Sequence, residues 1–423
     1  MSLNDIFEYY INDYKKLWYM QDGNSYTKLR AYSLEEKINN EQEINQIIDK
    51  ILDKFKLWPN NFMNSLNLEE NRRVWADDLS NFIKDSISDI SIDECFAIKH
   101  FISKGIMDIT KSFINDSLKN EDLSFDDIGQ AIRNAWIMNI LQFMLDIKVE
   151  YTPSIFGYSM LYPYTDNLID SDISLERKEN FNKKFHERLQ GLDVCPSDKL
   201  EAEIYHMVEL IESQFERELY PEVYDSLLLI HISQKNSLNQ QTTSCPFEKD
   251  IVDISFKKGG SSVLADGYLV KGTLADDEIK FMLGFGIILQ LCDDMQDIQT
   301  DMDSKSATVF SLSAKGHKLD ILANKLFRLI EHVLSYDIKN IKFEHDEKIV
   351  PFMQQCCSLI ALDGIISHKK YFTNDYIKNI EKYLPVRSKF LYNIKNKTPK
   401  KFNKIMKKYD ENELKTMIRY INV

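Results

Sequence analysis

Two clusters of acidic residues lie far apart on this chain, Asp166-Asn167-Leu168-Ile169-Asp170 and Asp293-Asp294-Met295-Gln296-Asp297. In each, the outer carboxylates stand four residues apart, one helical turn, and so share a helix face. Asp301 extends the second cluster, which places Asp293, Asp297 and Asp301 at i, i+4 and i+8. Carboxylates stacked in this way repel one another unless a cation joins them. An all-oxygen donor set suits a hard ion such as Mg²⁺. Two helices of this kind, face to face, would clamp Mg²⁺ between them.

The elements around the second cluster support a cleft rather than a surface loop. Asp293 follows the apolar run FMLGFGIILQLC, so its helix enters the core before the carboxylates begin. A solvated helix end is the bland alternative, and the burial of the preceding run weighs against it. Gly286, Gln290, Asp293 and Asp297 recur along one stripe, and Thr273-Leu274-Ala275-Asp276 resembles a capping box that opens the helix. Upstream, Phe256-Lys257-Lys258-Gly259-Gly260 puts two glycines into a helical pattern. Each is unfavourable by about 1 kcal/mol relative to Ala, which predicts a break there with backbone groups facing a ligand. Around the first cluster, Tyr158, Tyr162, Asp166 and Asp170 share a face, and Pro163 is expected to kink or tighten the helix.

The whole chain sets the frame. Hydrophobic residues make up 43% of 423 residues, against only 13 Gly and 9 Pro, which favours an all-α fold over a turn-rich β architecture. A net charge of -13 argues against a protein that wraps nucleic acid. The 6 cysteines show no CxxC pair and no disulfide spacing, which fits a reducing, cytoplasmic compartment. The N-terminus lacks the basic and apolar regions of a signal peptide, and the apolar stretch Phe281 to Cys292 is too short to span a bilayer. Residues 201 to 234 read as one long helix, Ile128 to Leu145 as an apolar helix, and Trp58-Pro59-Asn60-Asn61 as a break.

The stretch from Ser255 to Asp301 resembles the class I isoprenoid synthases, notably the trans-prenyltransferases, whose second acidic helix reads G-x-x-x-Q-x-x-D-D-x-x-D. Gly286, Gln290, Asp293, Asp294 and Asp297 match it position by position, and Lys257 or Lys258 stands where that family has a lysine. The first motif departs from that family: Asn167 replaces the second Asp, and Arg177 alone stands where a double arginine follows. YTDNLID is closer to the first motif of the bacterial large terpene synthases, called class IB. The resemblance covers roughly residues 125 to 310.

The resemblance implies a helical bundle around a central apolar cavity, with the two motifs facing each other at its mouth and three Mg²⁺ ions holding a substrate diphosphate. Asp166, Asp170, Asp293 and Asp297 become the catalytic residues, and metal would be held by these together with Asp294 and Asp301. Asn167 would support the ligands from behind. Arg177, Lys257, Lys258, Gln290 and Arg387 are the expected diphosphate contacts, and Trp136, Phe156, Tyr158 and Tyr162 the expected cavity lining. Aromatic residues at helical spacing are also ordinary core. The expected domains are an N-terminal helical extension packed on the bundle (1–70), the synthase domain (71–394) and a basic C-terminal segment (395–423).

The expected reaction is Mg²⁺-dependent ionisation of a polyprenyl diphosphate followed by cyclisation, a terpene synthase and lyase. Elongation with isopentenyl diphosphate, as a prenyltransferase, is the alternative that the second motif favours. A non-catalytic helical protein that binds a prenyl lipid is a third reading. Glu203-Ile204-Tyr205-His206 is half of a di-iron motif with no second copy, and no HExxH, GxSxG or P-loop pattern occurs. Residues Arg387 to Lys408 hold nine Lys or Arg and no acid. They are a solvated tail or a peripheral membrane contact. A homodimer stays open.

Overall fold

The computed structural model describes residues 2–25, 29–59, 67–89, 105–120, 123–170, 173–242, 250–341 and 349–421. Among the described residues every regular element is a helix, as the composition predicts. The first helices are α1 (Leu3–Met20), α2 (Leu34–Lys56), α3 (Leu68–Asp89), α4 (Ile106–Ser117), α5 (Phe125–Met144) and α6 (Pro153–Asp170). The middle of the chain forms α7 (Leu175–Leu189), α8 (Lys199–Gln214), α9 (Pro221–Ser237), α10 (Ile251–Lys271) and α11 (Asp276–Gln296). Short α12 (Ile298–Asp303) and α13 (Val309–Ala314) lead to α14 (Asp320–Ser335), α15 (Ile349–Ser367), α16 (Ser388–Met406) and α17 (Glu411–Ile421).

The chain divides into two compact units, one of residues 1–28 with 124–376 and one of 29–123 with 377–423. These lines differ from the expected boundaries at 70 and 394. The first unit carries both acidic clusters. Its centre is the packed pair α10 and α11, with α5, α6, α9, α14 and α15 around them. Phe281 to Ile288 of α11 are buried without interruption.

Gly259 and Gly260 do not break α10, which runs unbroken through both. A Cβ on Gly259 would fall 2.5 Å from the Gly286 carbonyl oxygen and 2.5 Å from Gln290 Cβ. The glycines therefore let two helix backbones touch, and that packing outweighs their low propensity. Two further expectations change. The 201–234 stretch is two helices: the first ends at Gln214, where Phe215 turns extended with φ -120° and ψ 97°, and Pro221 then opens α9 at a position where a missing N–H costs nothing. Helix α11 starts at Asp276 with Ala275 as its cap, and Glu278 accepts the Ala275 N–H at 2.8 Å. Pro163 sits inside an α6 that is helical along its whole length.

Helix α1 straps across α10 and α11 of its own unit. Ser2 and Asp5 form a capping box, and Leu3, Phe7, Tyr10, Ile11, Tyr14 and Trp18 form its buried stripe. Trp18 meets Phe256 edge to face at 6.0 Å, and the Tyr14 hydroxyl donates to the Lys280 carbonyl at 2.9 Å. Helix α15 is long and apolar enough to cross a membrane by length and composition. It packs on α11 and α14, with Gly364 against Met295.

The second unit has its own core of Trp58, Trp75, Ala76, Leu79 and Met417. The two indoles pack edge to face at 4.7 Å, and Arg72 bridges the Pro59 carbonyl at 3.0 Å and the buried Glu413 at 3.1 Å.

Candidate functional site

The second acidic cluster occupies the end of α11. Asp297 ends that helix with φ -100° and ψ 12°, so the expected single helix through Asp301 is interrupted. The hydrogen-bond ladder nevertheless persists: the Asp297 N–H reaches the Asp293 carbonyl at 2.9 Å, and the Asp301 N–H reaches that of Asp297 at 2.8 Å. The three residues thus follow one another a turn apart across the break.

Their electrostatics show crowding. Asp293 keeps solvent access at its side chain, yet the surrounding protein removes enough water to raise its carboxyl above the usual range. The Asp297 charge adds to that rise, and Lys258 and Arg133 oppose it. Asp301 is pushed up to about 6, first by desolvation and then by Asp297 and Asp293, while its bond from Thr308 Oγ1 at 3.0 Å works against the rise. A cation beside Asp293 and Asp301 would offset both the desolvation and the neighbouring Asp297 charge.

Asp294 is placed differently. It is buried, its Oδ1 accepts from Gln290 Nε2 at 2.7 Å and its Oδ2 from Ser255 Oγ at 3.2 Å. Burial pushes it up to about 7. Both oxygens face protein donors, and the Gln290 amide is turned toward Asp294.

The expected basic residues separate clearly. Lys258 lies within electrostatic reach of Asp293, Asp294 and Asp301. Lys257, one residue earlier and turned about 100° around α10, pairs with Glu8 at 2.8 Å and Asp253 at 3.2 Å. Arg177 pairs with Asp198 at 2.7 Å and with Glu201 at the start of α8. Arg387 belongs to the second unit and holds Glu41 there, Nε to Oε1 at 2.9 Å. Arg133 on α5, which the linear pattern gave no reason to single out, faces Asp293 electrostatically.

Helix α6 carries positions 166 and 170 in its last turns, and the side chains of Asp166, Asn167 and Asp170 lie outside the described residues. Among the described residues no three His, Cys, Asp or Glu side chains converge closely enough to enclose a metal ion. His206, from the half motif, pairs with Glu209 at 3.1 Å on the surface.

Beside α6 a half-open cleft of about 370 Å³ runs between α6, α7 and α9. Tyr158, Leu161, Tyr162, Phe185, Leu227 and His231 are among its walls. Most of that space is open to solvent, and its enclosed part has room for only about two water molecules. Tyr158 and Tyr162 are thus brought to one cavity, and the Tyr162 hydroxyl lies 2.7 Å from Ser262 Oγ. Trp136 is 45% exposed and Phe156 meets Tyr151 edge on at 6.0 Å; neither lines this cleft. Behind Tyr158 sits a buried carboxyl, Asp266, whose hydrogen bond from Asn134 Nδ2 at 3.4 Å leaves desolvation dominant and its pKa well raised.

No family model matches this sequence, and no curated protein and no solved structure matches it.

Proposed function

We propose that this all-α chain is a class I isoprenoid synthase, a terpene cyclase that ionises a polyprenyl diphosphate with Mg²⁺ and lets the released carbocation cyclise. The observation that carries the reading is the crowd of carboxylates around Lys258, at the point where the buried helix α11 emerges from the core. Its donors are all oxygen, the type Mg²⁺ prefers, and since the described carboxylates do not enclose an ion by themselves, the α6 wall and the diphosphate oxygens would complete the coordination. Asp293, Asp297 and Asp301 would hold metal on this wall, and Asp166 and Asp170 on the wall formed by α6. When bound, Mg²⁺ draws negative charge from the leaving diphosphate.

The chain's own residues do the rest. Lys258 and Arg133 supply fixed positive charge beside the same carboxylates and would orient the diphosphate without reorganising. Asp294 takes no ligand role in this arrangement; through Gln290 and Ser255 it fixes the end of α11 against α10. Tyr158 and Tyr162, on the helix that carries Asp166 and Asp170, would present π faces to a cation.

The test is turnover of polyprenyl diphosphates of graded chain length with Mg²⁺, with and without isopentenyl diphosphate. A hydrocarbon or alcohol product supports the cyclase, and a longer diphosphate replaces it with an elongating prenyltransferase. Tight Mg²⁺-dependent pyrophosphate binding without product over long incubation replaces both with a binding protein.

A further inference from the structure

Helix α16 of the second unit has a packed side and a basic side. One side is packed: Phe390 and Ile405 are buried, and Phe402 meets Phe55 edge on at 5.2 Å. The other carries Lys389, Lys397, Lys400 and Lys404, all exposed. At 100° per residue these four fall within about 80° of arc, centred roughly 120° around the helix from the packed Phe390, Ile405 and Phe402. Lys407 and Lys408 follow at the helix end, also exposed. Among the described residues the four lysines have no carboxylate partner, although the chain is acidic at -13. On the flank, Lys401 stands 3.6 Å from Asp49.

We propose that this lysine face docks the chain on an anionic lipid bilayer. From Lys389 to Lys404 the row spans about 22 Å along the helix, which holds Pro399 within it. Its charges come from lysine, the hydrated point charge suited to a diffuse headgroup field, and the face holds no arginine fork of the kind that grips individual phosphates. Each lysine near such a surface adds attraction, and all of them act within a Debye length. The apolar side of α16 is already committed to its own core, so adsorption is electrostatic and does not bury the helix. Tyr392, 66% exposed beside the row, supplies an aromatic ring suited to headgroup depth. None of this depends on the isoprenoid reading.

The experiment uses the full chain without substrate, floated with vesicles of phosphatidylcholine alone or of phosphatidylcholine with phosphatidylserine. Binding to the anionic vesicles at low salt and loss of it at high salt is the expected result. The K389E/K400E/K404E variant should bind at least about a hundredfold more weakly. K16E/K235E/K315E makes the same change in net charge at exposed lysines elsewhere and should retain binding. Thermal melting of both variants checks that each is folded. The proposal is overturned if the wild-type chain ignores anionic vesicles, if both variants lose binding equally, or if a polynucleotide at equal phosphate concentration strips the chain from the vesicles.

Discussion

The carbonyl oxygen of Gly286 stands 2.5 Å from where a Cβ on Gly259 would lie, so α10 and α11 meet backbone to backbone at the level of Lys258. This contact sets how far the acidic end of α11 is from the lysine on α10. Two effects compete if Gly259 becomes Ala: helix propensity improves by about 1 kcal/mol, and overpacking costs about 1–3 kcal/mol or more. The obstacle is backbone and cannot rotate away, so overpacking wins. Gly259→Ala should lower the denaturant midpoint. Gly129→Ala, inside α5 with open space around it, should raise stability by up to about 1 kcal/mol. Equal effects in urea titrations would remove the close-contact explanation.

The two adjacent lysines give a sharper test of the site. Lys258 faces the acidic cluster, whereas Lys257 is held by Glu8 and Asp253. Lys258→Ala and Arg133→Ala should each weaken Mg²⁺-dependent pyrophosphate binding by about tenfold or more. Lys257→Ala should leave that binding within about twofold, because partly exposed ion pairs contribute little beyond their own neighbourhood. Calorimetry on the three variants decides it, and a larger loss at Lys257 would reverse the assignment.

What the sequence made legible follows from the range of the interactions. The all-α fold and the buried course of α11 are local patterns of apolar spacing, so both could be read directly. The glycine pair was misleading, because its meaning depends on Gly286 and Gln290 across the interface, which no local window contains. Arg133 stayed hidden for the same reason, as it reaches Asp293 from a helix 160 positions earlier. The second unit joins residues 29–123 to 377–423, and a scan for linkers cannot detect such a pairing.

His231 links the cleft to pH. Burial pushes its imidazole down to about 4, the nearby His186 and Lys235 charges act in the same direction, and a backbone bond at Asn182 opposes them. A basic group depressed in the folded state binds its proton more readily when unfolded. Stability from the neutral imidazole is therefore complete above about 6.5, the unfolded value, and is lost as pH falls toward about 4. The maximum loss is on the order of 3 kcal/mol. Melting temperature should fall across that window in the wild type and fall less in His231→Phe, in which no proton can bind. Parallel curves for the two proteins would show that carboxylates alone account for the acid sensitivity.

Asp266 is the opposite case. Its carboxyl is buried behind Tyr158, and desolvation holds its pKa well above the usual carboxylate range. An acid whose folded pKa is raised is favoured in its protonated form, and the unfolded chain gives up that proton from about pH 4 upward. Its contribution to stability therefore declines as pH rises from about 4 toward the raised folded value. Asn has the same shape and no charge to desolvate, and it can still accept from the Asn134 amide. Asp266→Asn should thus stabilise the protein at pH 8 relative to pH 5, by an amount visible as a shift in melting temperature. If the variant is instead destabilised more at pH 8 than at pH 5, the carboxylate is ionised in the fold and has a cationic partner that the present geometry does not contain.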